Sequence, residues 1–320
     1  MAITITGGAT LTGGANMGTG GAPSPTPGGG SFQGSNFGYT SGGYNPTTDQ
    51  VNIIDKFSFT SDGNATDVGD LTVARYAPAG QSSTASGYTS GGRAGPWSVV
   101  IDKFPFSSDA NATDVGDITQ ARSGMSGQSS SVSGYSSGGR STPGRVNTID
   151  KFPFSSDGNA TDVGDLTQSL EYTAGQSSSA SGYASGGSNN APGVATIDKF
   201  SFASDGNATD SGDLTIARYA SSGQSSTVSG YTSGGKSSDT NAIDKFAFAS
   251  DSNATDVGDL SHATENAAGQ SSTSSGYSSA GVAGGSLEYT IDKFSFASDS
   301  NASDIGDISS RRSYGAGQQY

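Results

Sequence analysis

Apolar side chains alternate with polar ones over short stretches of this chain, and no window carries them at i, i+3, i+4 and i+7. In "IDKFSF", Phe57 and Phe59 fall on one face of an extended segment, Lys56 and Ser58 on the other. Such stretches end at turn signals every 8 to 12 residues or so. "DGNATD" is one of them, because Asp and Asn side chains can hydrogen-bond their own backbone. The Gly, Ser and Thr between the apolar positions weaken helices. The pattern predicts β-structure with almost no helix.

The pattern is also periodic. Tyr39, Tyr88, Tyr135, Tyr183, Tyr231 and Tyr277 each open a "GYTSGG"-like phrase, at spacings of 49, 47, 48, 48 and 46 residues. "IDKF" follows each phrase, then "SDGNATDVGDLT" or a variant, then "AGQSS" in most copies. A period of about 40–50 residues indicates a propeller blade or a helical pair. Four short strands per unit, around "AGQSS", "SGYTS", "IDKFPF" and "GDLT", choose the blade. Residues 31–320 hold six units at about 48 residues each, which predicts an all-β, six-bladed β-propeller. The closing "GAGQQY" matches the "AGQSS" strand, yet no "GYTSGG" follows it. The first unit, in "SFQGSNFGYTSGG", lacks that leading strand. Ring closure by strands from both termini is therefore expected. Residues 1–30 are read as an arm and Gly/Pro-rich linker outside the propeller.

The repeat resembles the kelch family. Tyr88, Gly91 and Gly92 match its Tyr and double Gly at the end of the second strand, and Phe104 and Phe106 its aromatic third strand. Arg75, Arg122, Arg218 and Arg312 match its Arg before the next blade, where Leu170 and Thr264 depart from it. The resemblance covers residues 38–312 and implies a kelch-like propeller. The fourth-strand Trp of kelch blades is absent, since the sole Trp, Trp97, lies in a variable loop. The wording "GYTSGG…IDKFPFSSDANATDVGDLT" and the opening "MAITITGGATLTGGANM" also resemble virion proteins of marine tailed phages, including cyanophages. That likeness implies a non-enzymatic structural protein on a tail or capsid, made in the host cytoplasm and located on the virion.

Composition adjusts this picture in three ways. Gly and Pro make up about 19% of the residues, below the roughly 25–30% of aperiodic low-complexity chains, and the regular period argues for order. The net charge of −14 belongs to the scaffold: the repeated words hold 24 Asp and six Lys, the remaining segments five acids and nine bases. An acidic scaffold disfavours nucleic acid as a partner. No cysteine is present, no apolar run reaches 18 residues, and "MAITITGG" has neither the basic nor the long apolar region of a secretion signal. The expectation is a protein without membrane insertion.

Chemistry-bearing candidates are few. In "DGNATD", Asp62, Asn64 and Thr66 have the alternating oxygens of a calcium loop, with Asp67 and Asp70 nearby. The Gly and Glu of an EF-hand are missing, so a hairpin turn is preferred and no cofactor is expected, calcium at these turns being the alternative. The "NAT" and "NAS" triplets match glycosylation sequons, but the turn reading is preferred there too. The single His262 occupies a position filled elsewhere by Val73, Gln120 or Ile216, a tolerant site. With no Cys, no His cluster and no nucleophile elbow, an enzyme is not expected.

The informative letters are those that change between "GG" and "ID". These six segments join strands two and three of each blade and are expected to crown one face. They supply Tyr44, Arg93, Trp97, Arg140, Arg145, Lys236 and Tyr289, residue types enriched at binding anchors. A host surface glycan or protein is the implied partner of an adhesin or receptor-binding role, the alternative to a purely structural one. The arm alternates apolar residues with Thr or Gly, and Ile3, Ile5 and Leu11 form the apolar side of a tethered strand suited to joining a neighbouring virion protein's sheet.

Overall fold

The computed structural model describes residues 33–189, 193–237 and 240–320, so Ile3, Ile5 and Leu11 lie outside the described residues. Six antiparallel blades of four strands follow one another around an axis, and no helix occurs among the described residues. The second blade is representative. Its inner strand is Ala79–Ser82, followed by Ser86–Ser90, Val100–Pro105 and the outer Thr113–Asp117. The first blade takes its inner strand from the C-terminus: Ala316–Gln319 pairs with Phe37–Ser41, with Gly38 opposite Gln319 and Ser41 opposite Ala316. Closure at the C-terminal end is as the sequence predicts. "SFQGSN" fills no strand slot. Instead the Gln33 amide donates to Ser225 O at 2.9 Å, the Gly34 N–H donates to Ser271 O at 2.8 Å, and Tyr320 O accepts from the N–H groups of Asn36 and Phe37.

The repeated words are the joints between blades. At the axis stand Gly80, Gly127, Gly175, Gly223, Gly269 and Gly317, one from each inner strand. A Cβ on any of them would collide with the glycine carbonyl oxygen of the adjacent blade. Only glycine lets six backbones converge this closely. Immediately after each of them, Gln81 and its five equivalents each donate to the carbonyl of the repeat Tyr in the next blade, at 2.9–3.0 Å. All six amide nitrogens find this acceptor, and in five of the six the amide oxygen accepts from a Ser hydroxyl, Gln318 Oε1 being the exception, which makes the inner joint directional as well as close-packed.

Further out, the repeat Tyr of each blade packs on the two Phe of the next. Tyr88 lies 5.5 Å from Phe152 and stacks on Phe154 at 4.8 Å, and the series closes with Tyr277 on Phe57 and Phe59. This aromatic triad occupies the space between blades and explains how they pack without a fourth-strand Trp.

A charged joint lies beside it. Asp102 of the second blade accepts from the Thr72 backbone N–H and hydroxyl, and pairs with Arg75 of the incoming connector at 2.9 Å. Arg122–Asp150, Arg218–Asp244 and Arg312–Asp55 repeat the pair.

At the rim, Lys56 reaches Asp109 of the next blade, and the ring of six such pairs ends with Lys293–Asp62. The "DGNATD" turns thus act between blades: their Asp binds this Lys, and their Asn accepts a backbone N–H, as Asn111 does from Asp70. Gly69 is kept small at the same contact, where a Cβ would press on the Ala110 carbonyl. Among the described residues, no group of three or more His, Cys, Asp or Glu is placed to hold a metal ion.

Candidate functional site

Because neighbouring strands are antiparallel, the end of each second strand and the start of each inner strand share one face of the disc. Ala79 pairs with Ser90, for example. The six variable loops leave from that face. So do the connectors that enter each blade, and their two residues after the Arg position also vary from blade to blade: Tyr76-Ala77, Ser123-Gly124, Glu171-Tyr172, Tyr219-Ala220, Glu265-Asn266 and Ser313-Tyr314.

The first residue of each connector pair forms a short bridge to the residue after the double Gly of the next blade. Tyr76 bridges Arg93, Ser123 bridges Arg140, Tyr219 bridges Lys236 and Ser313 bridges Tyr44. The second residues form a closed ring of backbone hydrogen bonds about the axis: Ala77 to Tyr314, Gly124 to Ala77, Tyr172 to Gly124, Ala220 to Tyr172, Asn266 to Ala220 and Tyr314 to Asn266, at 2.6–2.9 Å. All six have φ between 52° and 68°, although only one is glycine. Left-handed backbone costs a non-glycine residue about 1–3 kcal/mol and persists where the surroundings over-determine it. Here the cyclic hydrogen bonding does so. Tyr172 and Tyr314, three steps apart in the ring of six, meet over the axis with centroids 5.7 Å apart and cover its mouth. Burial pushes both phenols up, so they stay neutral in this lid.

Beside the lid, a cavity of about 230 Å³ opens between the second, third and fourth blades. One wall carries Tyr76, Arg93 and Trp97; Ser123 and Arg140 face them, and Glu171 with Tyr172 completes the far side. The Arg93 loop is a tight reversal held by the Ala94 N–H to Pro96 O and the Ser98 N–H to Gly92 O, which brings Trp97 back beside Arg93. Glu171 is 5% exposed and binds the Arg145 guanidinium at 2.7 Å, with Arg140 at 3.8 Å.

The loop residues singled out in the sequence therefore separate into groups. Arg93, Trp97 and Arg140 converge on one cavity, and Arg145 reaches it through Glu171. Tyr44 sits at the end of an edge-on contact with Tyr76, 5.7 Å away. Lys236 pairs with Glu265 at 2.9 Å, and Tyr289 stacks under Arg311 at 4.6 Å, so these two belong to other sectors of the face. Sequence reasoning missed Tyr76, Glu171, Tyr172 and Tyr314. Their signal was available: the two residues after the Arg position vary as freely as the loops do, inside an otherwise constant phrase.

His262 is exposed and its Nδ1 lies 2.9 Å from the hydroxyl of the preceding Ser261, at the rim of a joint and away from the cavity. No protein-family model matches the chain, and no curated protein sequence matches it.

Proposed function

We propose that this protein is a non-enzymatic, two-faced display module of a tailed-phage virion, held through its N-terminal arm and presenting the variable loops outward. The observation that carries the reading is the point at which the chain enters the disc. Gln33 and Gly34 bond to Ser225 and Ser271, at the outgoing ends of inner strands, on the face opposite the variable loops. An arm attached there leaves the loop face clear. The same face also exposes Val132 and Val228 at hairpin tips, 65% and 67% accessible. Constant residues supply the joints and changing residues cluster on one side, the division expected of a scaffold carrying a recognition surface. The kelch-like wording and the resemblance to phage virion proteins support the setting, with other virion proteins as partners of the arm and a host surface as partner of the loops.

The test is incorporation. Particles assembled with a chain beginning at residue 31 should lack the protein, and so should particles carrying Ile3→Asp, Ile5→Asp and Leu11→Asp together. Normal incorporation of either variant would overturn attachment through the arm. Labelling the loop face and imaging the virion should find the label on the outward side.

A further inference from the structure

The cavity at Trp97 has a composition that narrows its ligand, and the inference rests on reading the loop face as the recognition surface. We propose that it holds a carboxylate-bearing sugar ring, a uronate unit of an acidic polysaccharide. Its volume, about 230 Å³, lies below the roughly 300–1,000 Å³ of pockets for drug-sized ligands and suits a single ring.

Charge sets the anion. Three guanidinium groups and one carboxylate meet here, on a chain whose net charge is −14. Glu171 is already occupied by Arg145 at 2.7 Å, which leaves Arg140, 3.8 Å away, with donors to offer. Arg93 lines the cavity, is exposed, and makes no ion pair among the described residues. A planar carboxylate matches the guanidinium fork in bidentate fashion.

Shape sets the sugar. Trp97, Tyr76 and Tyr172 are each part-exposed around the cavity. Aromatic faces take the flat C–H side of a sugar ring, while its rim hydroxyls need polar partners such as the Ser123 hydroxyl and the Arg donors.

Trp97 is the only tryptophan, so its emission reports this cavity alone. The full chain should be titrated with an oligogalacturonate, with the fully methyl-esterified oligomer, and with an oligoglutamate peptide. The expected result is a saturable change in Trp97 emission with the uronate, at least tenfold weaker binding of the ester, and none of the peptide. Arg93→Met and Arg140→Met should each weaken uronate binding at least tenfold with unchanged circular dichroism, and Trp97→Phe should do so by calorimetry. The proposal is overturned by an absence of emission change and of heat with the uronate, by wild-type affinity in both Arg variants, or by equal binding of the peptide. Host-cell adsorption of particles carrying Arg93→Met separates the two readings. Impaired adsorption without uronate binding removes only the ligand class, whereas unimpaired adsorption without uronate binding removes the recognition face as well.

Discussion

Arg75 and Asp102 face each other at 2.9 Å across the joint between the first and second blades, and neither side chain has any exposed surface. The guanidinium also donates to the Thr89 carbonyl at 2.9 Å, while Asp102 holds Thr72. Removing one partner of such a pair leaves a buried charge uncompensated, which costs about 3–5 kcal/mol. Arg75→Leu should lose stability of that order in urea unfolding. The double variant Arg75→Leu, Asp102→Asn should lose clearly less than the sum of the single changes. Additive losses would mean that the two groups are not energetically coupled.

Two joints test the same idea in reverse. Leu170 and Thr264 replace the Arg at the joints of Asp198 and Asp292, and burial raises the carboxyl pKa of both Asp residues. At the second of these joints, Ser261 shares its hydroxyl with His262, and Asp292 Oδ1 is left without a partner. A folded-state pKa raised above the unfolded value makes the contribution favourable below the ordinary carboxylate range. It is lost as pH rises through the folded value. Asp198→Asn should therefore flatten the rise in Tm on acidification towards about pH 4, near the ordinary carboxylate value. It should also cost less at neutral pH than Asp102→Asn. Leu170→Arg should have the same flattening effect by supplying the missing cation. An unchanged pH profile in both variants would show that Asp198 does not titrate in the folded range.

Blade number, strand order and the face of the variable loops were legible in the sequence because each depends on a short phrase repeated six times. Closure was legible for the same reason, through the orphaned "GAGQQY". What was not legible is what the phrases do to each other. Lys56 and Asp109 are 53 residues apart, and Gln318 donates to Tyr88 across 230 positions. Periodicity cannot show which neighbour a side chain will meet. Arg93, Trp97 and Arg140 were found by type, but their convergence on Glu171 depends on the rotation from one blade to the next.

The axial glycines give a steric prediction. At Gly127 an added methyl would press into the Gly80 carbonyl, which is backbone and has no free space to move into. Gly127→Ala should destabilise by about 1–3 kcal/mol or more, the usual cost of overfilling a packed site. Gly63→Ala is the control for added bulk, since nothing lies within 4 Å of its Cβ position, although its φ of 153° adds some backbone cost. Thermal unfolding of the two side by side should show the larger loss at the axis. Equal losses would show that the inner strands can separate to admit a side chain.

The rim ring predicts a dependence on salt and on alkali. In the five pairs from Lys103 to Lys293, the hydrogen bond to Asp raises the Lys pKa. That contribution is present below the unfolded Lys value, about 10.4, and is lost as pH rises through the folded one. The Asp side chains are more than half exposed, so each pair is worth only about 0–1 kcal/mol. Lys151→Met should therefore lower Tm slightly at low ionic strength and hardly at all in concentrated salt. A large loss that persists in salt would assign Lys151 a packing role instead.

The termini offer the sharpest contrast, because two short segments of the same chain are predicted to matter in opposite ways. Residues 316–320 supply the inner strand of the first blade. Gln318 is fully buried and donates to Tyr88 O at 3.0 Å, Gly317 stands in the axial ring, and the Tyr320 ring stacks on Phe106 at 5.2 Å. Their deletion exposes a strand edge and two neighbouring blades, and should lower stability by several kcal/mol on the usual scale of buried area. At the other end, a chain beginning at residue 31 keeps Gln33 on Ser225 and Gly34 on Ser271, and should melt like the full-length protein. Beginning instead at residue 37 removes both contacts, together with the Asn36 N–H on Tyr320 O, which secures the closing strand. That chain should melt below the one beginning at 31 but above the one lacking 316–320. If beginning at 31 already lowers Tm, residues 1–30 contribute to the stability of the disc, and a failure of that chain to join a particle could no longer be assigned to attachment alone.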